Sequence, residues 1–413
     1  MIRIGNASGF YGDRLGAVRE MLEGGELDVL TGDYLAELTM LILGRDRVKD
    51  AGLGYAKTFL RQMEDCLGLA VERGVTVVAN AGGLNPRGLA AAIDKLGVGA
   101  RIGVVTGDDL RADFPEALTA NAYLGAWGIA ECVRAGADVV VTGRVTDASL
   151  VVGPAAAHFG WAREDWDALA GATVAGHVLE CGTQATGGNY SFFTSLDVDR
   201  PGFPIAEVEA DGSSVITKHE GTGGAVTIDT VTAQLLYEIG DPAYPGPDVV
   251  SHFDTIELAE HARGVRISGV RGSPPPETLK VCLNSLGGFR NGTTFVLSGL
   301  DVPEKAALVR RQLEGALGTE GLTWTLARTD QPDADTEETA SALLHVTIKT
   351  PDPKRAKAFS RTAIELALGS YPGFHVTAPP SDGTPFGVYR AAYVPRDRVA
   401  HQATLPDGKV VAV

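Results

Sequence analysis

One pattern recurs along the N-terminal part of this chain and limits its possible folds. A short apolar run stops at a small polar residue beside glycine, and a helix-forming segment follows. The runs end in Gly5-Asn6, Thr31-Gly32-Asp33, Asn80-Ala81-Gly82-Gly83, Thr106-Gly107-Asp108-Asp109 and Thr142-Gly143-Arg144. Unbroken runs such as Val139-Val140-Val141 read as strands buried on both faces, because a half-exposed strand alternates apolar and polar residues. Strands that alternate with helices build right-handed βαβ units and a parallel sheet. The loops after successive strands then gather at one edge, where open α/β sheets bind ligands.

The predicted order is strand Met1–Ile4, helix Arg14–Leu22, strand Leu27–Leu30, helix Tyr55–Glu72 and strand Val75–Ala79. It continues with helix Pro86–Leu96, strand Ile102–Val105, helix Ala122–Ala135, strand Val139–Val141 and a helix beginning near Asp147. Helix Asp165–Cys181 follows, then a β-rich stretch (Tyr190–Leu196, Ile205–Glu209, Ser214–Thr217) and helix Thr227–Tyr237. Beyond a Pro-rich stretch with strands Thr255–Leu258 and Gly264–Val270, strands Thr278–Leu286 and Thr293–Ser298, helix Val302–Leu317, strands Leu322–Ala327 and Ala342–Lys349 and helix Pro353–Leu368 suggest a second layer. The expected fold class is α/β: a mostly parallel sheet flanked by helices over residues 1–240, and an α+β domain, ferredoxin-like in style, over 241–413.

Composition narrows the function classes. The net charge is −16, against the basic footprint that nucleic acid or an anionic membrane surface requires. Cys66, Cys132, Cys181 and Cys282 form no CxxC pair, so neither a disulfide framework nor a Cys-rich zinc site is expected. The start MIRIGNASGFYGDR has no secretory h-region, and no apolar run reaches membrane-spanning length. A cytoplasmic protein is expected, with a small-molecule partner and self-association into a homo-oligomer, for which the Gly-rich loops and the basic tail are the only hints.

Parallel topology would set Asn6, Ser8, Asp13, Asp33, Asn80, Asn85, Asp108, Arg144 and Asp147 around one crevice. Taken singly, each is also a turn or cap residue; jointly they mark a ligand site. Glu180 lies just before the loop GTQATGGNY, where a closed pocket would shift its pKa. His177 lies three residues before Glu180 on the same helix face; without a third ligand the two read as a packed or solvent-facing pair, not a metal site. The segment Lys218-His219-Glu220-Gly221-Thr222-Gly223-Gly224 runs into a helix and would offer amides to a phosphate or carboxylate, though it lacks the Gly-Lys-Ser/Thr ending of a Walker loop; a plain connector is the competing reading. Asp13, Asp33, Asp108, Asp109 and Asp147 could supply oxygen ligands to a divalent cation, but no spacing fixes a site, and no metal is assigned.

The blocks IGNASGFYGDR, TGDYLAELTM, ANAGGLNP, VTGRVTDASLVVGP, HVLECGTQATGGNY and KHEGTGGAVT resemble, in order and over most of the chain, the acyclic terpene utilisation AtuA-like proteins, formerly a domain of unknown function. Longer members carry a C-terminal extension with an Arg-Ser-Gly-Asp-Lys-Gly block that this sequence lacks. The resemblance implies catabolism or tailoring of branched acyl groups, with coenzyme A as part of a thioester substrate. It brings no reaction and no other cofactor.

Two function classes follow. The first is an enzyme that works on an acyl thioester by hydration, dehydration or carbon–carbon lyase chemistry, which needs a base, an acid and oxyanion donors. Glu180 and Asp147 are the candidate acid and base, and Asn80 and Asn189 the candidate oxyanion donors beside the Gly82-Gly83 amides. Ligand or anion contacts fall to Asn6, Ser8, Arg14, Asp33, Gly82, Gly83, Asn85, Arg144, Gln184, His219 and Gly223. Cys181 as nucleophile competes, against an unfavourable helix dipole. The second class is a non-catalytic acyl-binding or scaffolding protein, favoured by the lack of GxSxG, HExxH, Walker or nicotinamide signatures.

Overall fold

The computed structural model describes residues 1–413. Its first strands are β1 (Ile2–Asn6), β2 (Val29–Gly32), β3 (Thr76–Ala79), β4 (Ile102–Thr106), β5 (Thr119–Ala122), β6 (Val139–Thr142), β7 (Pro204–Val208) and β8 (Ser214–Lys218). The helices between them are α1 (Ala17–Glu23), α2 (Glu37–Lys49), α3 (Lys57–Glu72), α4 (Pro86–Asp94), α5 (Trp127–Arg134), α6 (Ser149–Phe159) and α7 (Trp166–Glu180), and α8 (Ile228–Leu236) follows β8.

Strands β1, β2, β3, β6 and β4 lie side by side in that order and pair in parallel. Their apolar runs are unbroken because both faces are covered. Leu30, Val77, Val139 and Val141 face Met21, Phe59, Met63, Leu67, Leu89 and Ile93 of α1, α3 and α4. Ile4, Val78, Val105 and Val140 face Ile129, Leu150, Val151, Val174 and Val178 of α5, α6 and α7. At about 1.5–3 kcal/mol for each fully buried Val, Leu, Ile, Phe or Met, these two layers are the main force holding the strand ends in place.

The sheet is mixed, not mostly parallel. It has eleven strands, and those outside the parallel core pair antiparallel. On one side β7 pairs with β1, then come β8, Gly264–Ser268 and Glu257–His261. On the other, Gln402–Thr404 pairs with β4 and Val410–Ala412 closes the edge. These additions move the expected boundary at residue 240. One unit comprises Met1–Asn284 with Tyr389–Val413, and the other is Ser285–Val388. The strands after residue 240 continue the first sheet, so no break falls there.

The second unit is α+β. From the strand that ends at Ser298 the order is βαββαβ, through helices Val302–Leu317 and Pro353–Glu365 and strands Leu322–Ala327, Ser341–Thr350 and His375–Val376. Phe295, Leu297, Val309, Leu313, Leu344, Val346, Ile348 and Phe359 form its own core.

Two local expectations fail, and a third element lacks its expected cap. Tyr190–Leu196 is a pair of turns with a short 3-10 helix at Phe193–Ser195, and Phe192 and Phe193 are exposed; with no strand beside it, aromatic content alone does not make a ladder. The helix expected from Ala122 begins at Trp127, because Thr119–Ala122 pairs instead with residues 281–284. The helix after β6 begins at Ser149 with no side-chain cap, since Asp147 is paired elsewhere.

Candidate functional site

The turn after β6 is built around a buried cation. Gly143 has no side chain, so Asp108 can press against it, where a Cβ would overlap the carboxylate. Asp108 Oδ2 accepts from the Arg144 backbone N–H (2.9 Å) and from Asn121 Nδ2 (2.8 Å). Burial pushes the Asp108 carboxyl up to about 6, against those two hydrogen bonds. Thus held, Arg144 is 2% exposed. Its Nη1 donates to Asp147 Oδ1 (2.5 Å) and to the Val145 carbonyl (3.0 Å), while its Nε is buried and unpartnered. The guanidinium carbon lies 4.4 Å from the centroid of the Tyr123 ring. Burial opposes the Arg144 charge, but Asp147, Tyr123 and Asp33 outweigh it and keep the group protonated.

Tyr123 follows β5 directly. Its hydroxyl donates to Glu37 Oε1 (2.7 Å) on the first residue of α2. Burial works against the Glu37 carboxylate, yet the Tyr123 hydrogen bond and the charges of Arg144 and Lys280 hold its pKa below the usual range. A ring fixed at both its face and its hydroxyl is a rigid wall.

Two more carboxyl groups sit within electrostatic reach of this turn. Asp33, beyond β2, is buried, and its Oδ1 accepts from Asn80 Nδ2 (2.5 Å) and from the Leu35 N–H (3.1 Å). Burial and the Asp147 charge push the Asp33 carboxyl well up, with Arg144 and Asn80 only partly offsetting them. Glu180 ends α7, and its Oε1 meets His177 Nδ1 at 2.9 Å. Burial pushes the Glu180 carboxyl up, and His177 only partly offsets it. Burial also opposes an imidazolium at His177, but Glu180 outweighs it and holds that ring above its usual range. Both shifts favour one proton kept between the two side chains. His177 Nε2 is buried without a partner. The ring packs between Phe253 (5.4 Å) and Tyr244 (6.2 Å). The Tyr244 hydroxyl is raised first by burial, then by Glu180 and Asp147.

A cavity of ≈ 320 Å³ opens beside this cluster. Tyr123, Thr146, Asp147, Tyr244, Lys280 and Tyr393 line it, with Pro245, Gly246 and Pro247 forming one wall. The volume suits a small acyl group and not a whole nucleotide carrier.

The structure thus brings together Asp33, Asn80, Arg144, Asp147 and Glu180. It adds residues that the sequence reading did not single out: Glu37, Tyr123, Tyr244 and Lys280, with His177 now tied to Glu180. The other predicted residues hold the fold. Asn6 Nδ2 donates to the Leu179 carbonyl (2.5 Å), fastening β1 to α7. Ser8 Oγ donates to the Phe10 carbonyl. Arg14 reaches Glu20 and the Pro201 carbonyl and stacks on Phe203. Asn85 caps α4 through the Gly88 N–H and donates to the carbonyls of Gly52 and Leu53. Gly82 packs where a Cβ would lie 2.5 Å from the Thr142 carbonyl oxygen, and the Gly83 N–H donates to the Asn80 carbonyl. Gln184 bridges Gln234 and Asn189; Asn189 is exposed and in the left-handed region, with φ 57°.

The Gly-rich stretch before α8 is closed upon itself. Thr227 and Thr230 cap the helix reciprocally, Lys218 Nζ donates to the Thr222 carbonyl, and the Gly223 carbonyl accepts from Gly202. His219 Nε2 is bonded to the Met21 carbonyl (2.9 Å). The Gly224 and Ala225 N–H groups are spent on the carbonyls of Asp197 and Thr186. Cys181 is not set up as a nucleophile, because burial and Glu180 push its thiol up to about 12. No three His, Cys, Asp or Glu side chains gather closely enough to hold a metal ion, and no helix is long and apolar enough to cross a membrane.

These features describe a mixed α/β protein with a polar, partly buried cluster at the carboxyl ends of its parallel strands. The chain belongs to the acyclic terpene utilisation family: the profile of acyclic terpene utilisation family protein AtuA matches residues 2–405. Compared with curated proteins, the chain matches none.

Proposed function

We propose that this chain is an enzyme of acyclic terpenoid or branched-acyl metabolism that acts on a small branched acyl substrate, carried as a coenzyme A thioester, by hydration/dehydration or carbon–carbon lyase chemistry. The observation that supports it is the ≈ 320 Å³ cavity walled by Asp147, Tyr123 and Tyr244 beside the proton-holding Asp33 and His177–Glu180 groups. Pairs of titratable groups pushed to different proton affinities are what acid/base chemistry requires. For a dehydration, Asp147 takes the proton from the carbon beside the carbonyl. Tyr244 and Arg144 donate to the oxygen that gains charge, and the proton held at Glu180 goes to the departing hydroxyl. Where a carbon–carbon bond breaks instead, Asp147 takes the proton of the hydroxyl on the carbon that becomes a carbonyl, and Glu180 supplies a proton to the enolate carbon that leaves.

Glu180→Gln removes the exchangeable proton but keeps the hydrogen-bonding shape. Ligand binding should stay near normal, followed by thermal shift with acyl-CoA thioesters and free branched acids, since a ligand that binds only the folded state raises apparent stability. Turnover should fall at least a hundredfold, the lower end for a removed general acid or base. Retained turnover discards Glu180, and no shift with any thioester or acid sinks the acyl reading. One observation favours a binding protein instead: the side-chain amides of Asn6, Asn80 and Asn85 donate to Leu179, Asp33, and Gly52 with Leu53, leaving few free donors. A thermal shift with a thioester that is never turned over would support that second reading.

A further inference from the structure

Lys280 is the one charged residue of the cavity lining that the acid/base reading leaves unused. It is exposed, and it forms no ion pair or side-chain hydrogen bond, while the other charged lining residue, Asp147, is held by Arg144. Its Nζ lies 5.1 Å from the centroid of the Tyr123 ring, the same ring that Arg144 covers at 4.4 Å, and 5.9 Å from that of Tyr389. The backbone fixes this meeting, because the Tyr123 N–H donates to the Lys280 carbonyl (2.9 Å). Two cations therefore lie against one aromatic ring of the cavity wall, Lys280 in the lining and Arg144 buried behind it. One of them, 2% exposed, keeps an unpartnered Nε. A buried donor without an acceptor is a cost that folds avoid unless something else satisfies it. A net charge of −16 makes an unpaired ammonium beside a cavity harder to ascribe to general surface composition.

We propose that Lys280 and Arg144, gathered on Tyr123, form an anion clamp, so that the ligand is an acyl compound bearing a negatively charged oxygen group. This rests on the reading of the cavity as the acyl site and adds a substrate class to it. The shared chemistry is an anionic oxygen group, from either of two sources: a second carboxylate on the acyl chain, or a phosphate of the carrier. A guanidinium and an ammonium suit both, the first by a planar fork and the second as a point charge.

The test is isothermal titration of the whole protein with three probes: a branched four- or five-carbon dicarboxylate, the matching monocarboxylate, and adenosine 3′,5′-bisphosphate as the carrier fragment. Each is repeated with Lys280→Gln and with Lys95→Gln, an exposed lysine outside the cavity lining. Lys280 is exposed, so its variant keeps the fold. The clamp predicts that the dicarboxylate or the bisphosphate binds better than the monocarboxylate. It also predicts that Lys280→Gln weakens that probe roughly tenfold, the lower end for a hydrogen bond to a charged group, while Lys95→Gln leaves it unchanged. The dicarboxylate responding places the anion on the acyl chain, and the bisphosphate responding places it on the carrier. If all three probes bind alike, or Lys280→Gln changes nothing, the clamp is wrong and the acyl cavity stands. If none of the probes and no thioester binds, both readings fall.

Discussion

Arg144→Met is the sharpest perturbation of the cluster. The change keeps much of the side-chain length and removes the charge. It leaves Asp147 without its ion-pair partner. Taking one member out of a buried pair costs about 3–5 kcal/mol, because the other charge stays behind. Asp147 is 28% exposed, so water reaches its carboxylate and the lower end applies, about 3 kcal/mol. The stack on Tyr123 changes less. A desolvated cation–π contact is lost, up to about 2 kcal/mol, and a thioether on the same ring returns about 0.3–1.5 kcal/mol. Urea unfolding followed by circular dichroism reads the difference, provided the denaturant slope is unchanged. Adding Asp147→Asn should recover part of the loss, since no unpaired carboxylate remains. The non-additivity of the two changes measures the pair. A single variant within about 0.5 kcal/mol of the parent, the range of unremarkable surface changes, would refute the claim that this pair organises the turn.

Asp248 offers a pH-dependent check. Its Oδ2 accepts from the Ala126 N–H (2.7 Å), and burial pushes its carboxyl up to about 6. A carboxyl raised in the folded state contributes stability below its unfolded pKa and loses it as pH rises through the folded value. The parent should therefore lose about 2 kcal/mol from this group between pH 4 and pH 7. Asp248→Asn should remove that part of the slope in unfolding curves taken across the range; an unchanged slope rejects the shift. For Cys181, with a thiol pushed up to about 12, iodoacetamide at pH 7.5 should leave turnover intact and label the residue slowly; rapid inactivation would restore the nucleophile.

The parallel core was legible because its signal is local. Each strand announces itself by an apolar run and a glycine-marked end, and burial on both faces suppresses alternation. The antiparallel flanks were legible only as strands: Ile205–Glu209 and Ser214–Thr217 form β7 and β8 as expected, but no local signal shows which neighbours they pair with. Gln402–Thr404 joins β4 across some three hundred residues, and Glu257–His261, whose residues are largely exposed, shows no core-facing pattern. The strand ends gave mixed results because one chemistry serves two purposes. Asn85 sits before Pro86 and caps α4, and Asn6 fastens β1 to α7. Asp33, Arg144 and Asp147 look no different in sequence, yet they remain beside the cavity. Residue type marks a strand end; what that end does depends on which helix terminus or carbonyl comes within reach.

The cavity's own wall shows why the site was only half visible. Arg144 and Asp147 are three residues apart, so their pairing could be suspected from the sequence. Tyr123 and Lys280 lie on segments far apart in the chain, joined by the antiparallel ladder of β5 with residues 281–284. That ladder hides in an alanine- and asparagine-rich stretch that reads as the start of a helix. Once it forms, the Tyr123 N–H and the Lys280 carbonyl must meet, and the tyrosine ring comes to lie over Arg144 with the lysine beside it. The positive side of the cavity is therefore a product of strand pairing and not of any motif. A substitution that weakens the ladder, such as Leu118→Pro, which removes the N–H donated to the Asn284 carbonyl at its end, should weaken anionic ligands without touching a single residue of the clamp.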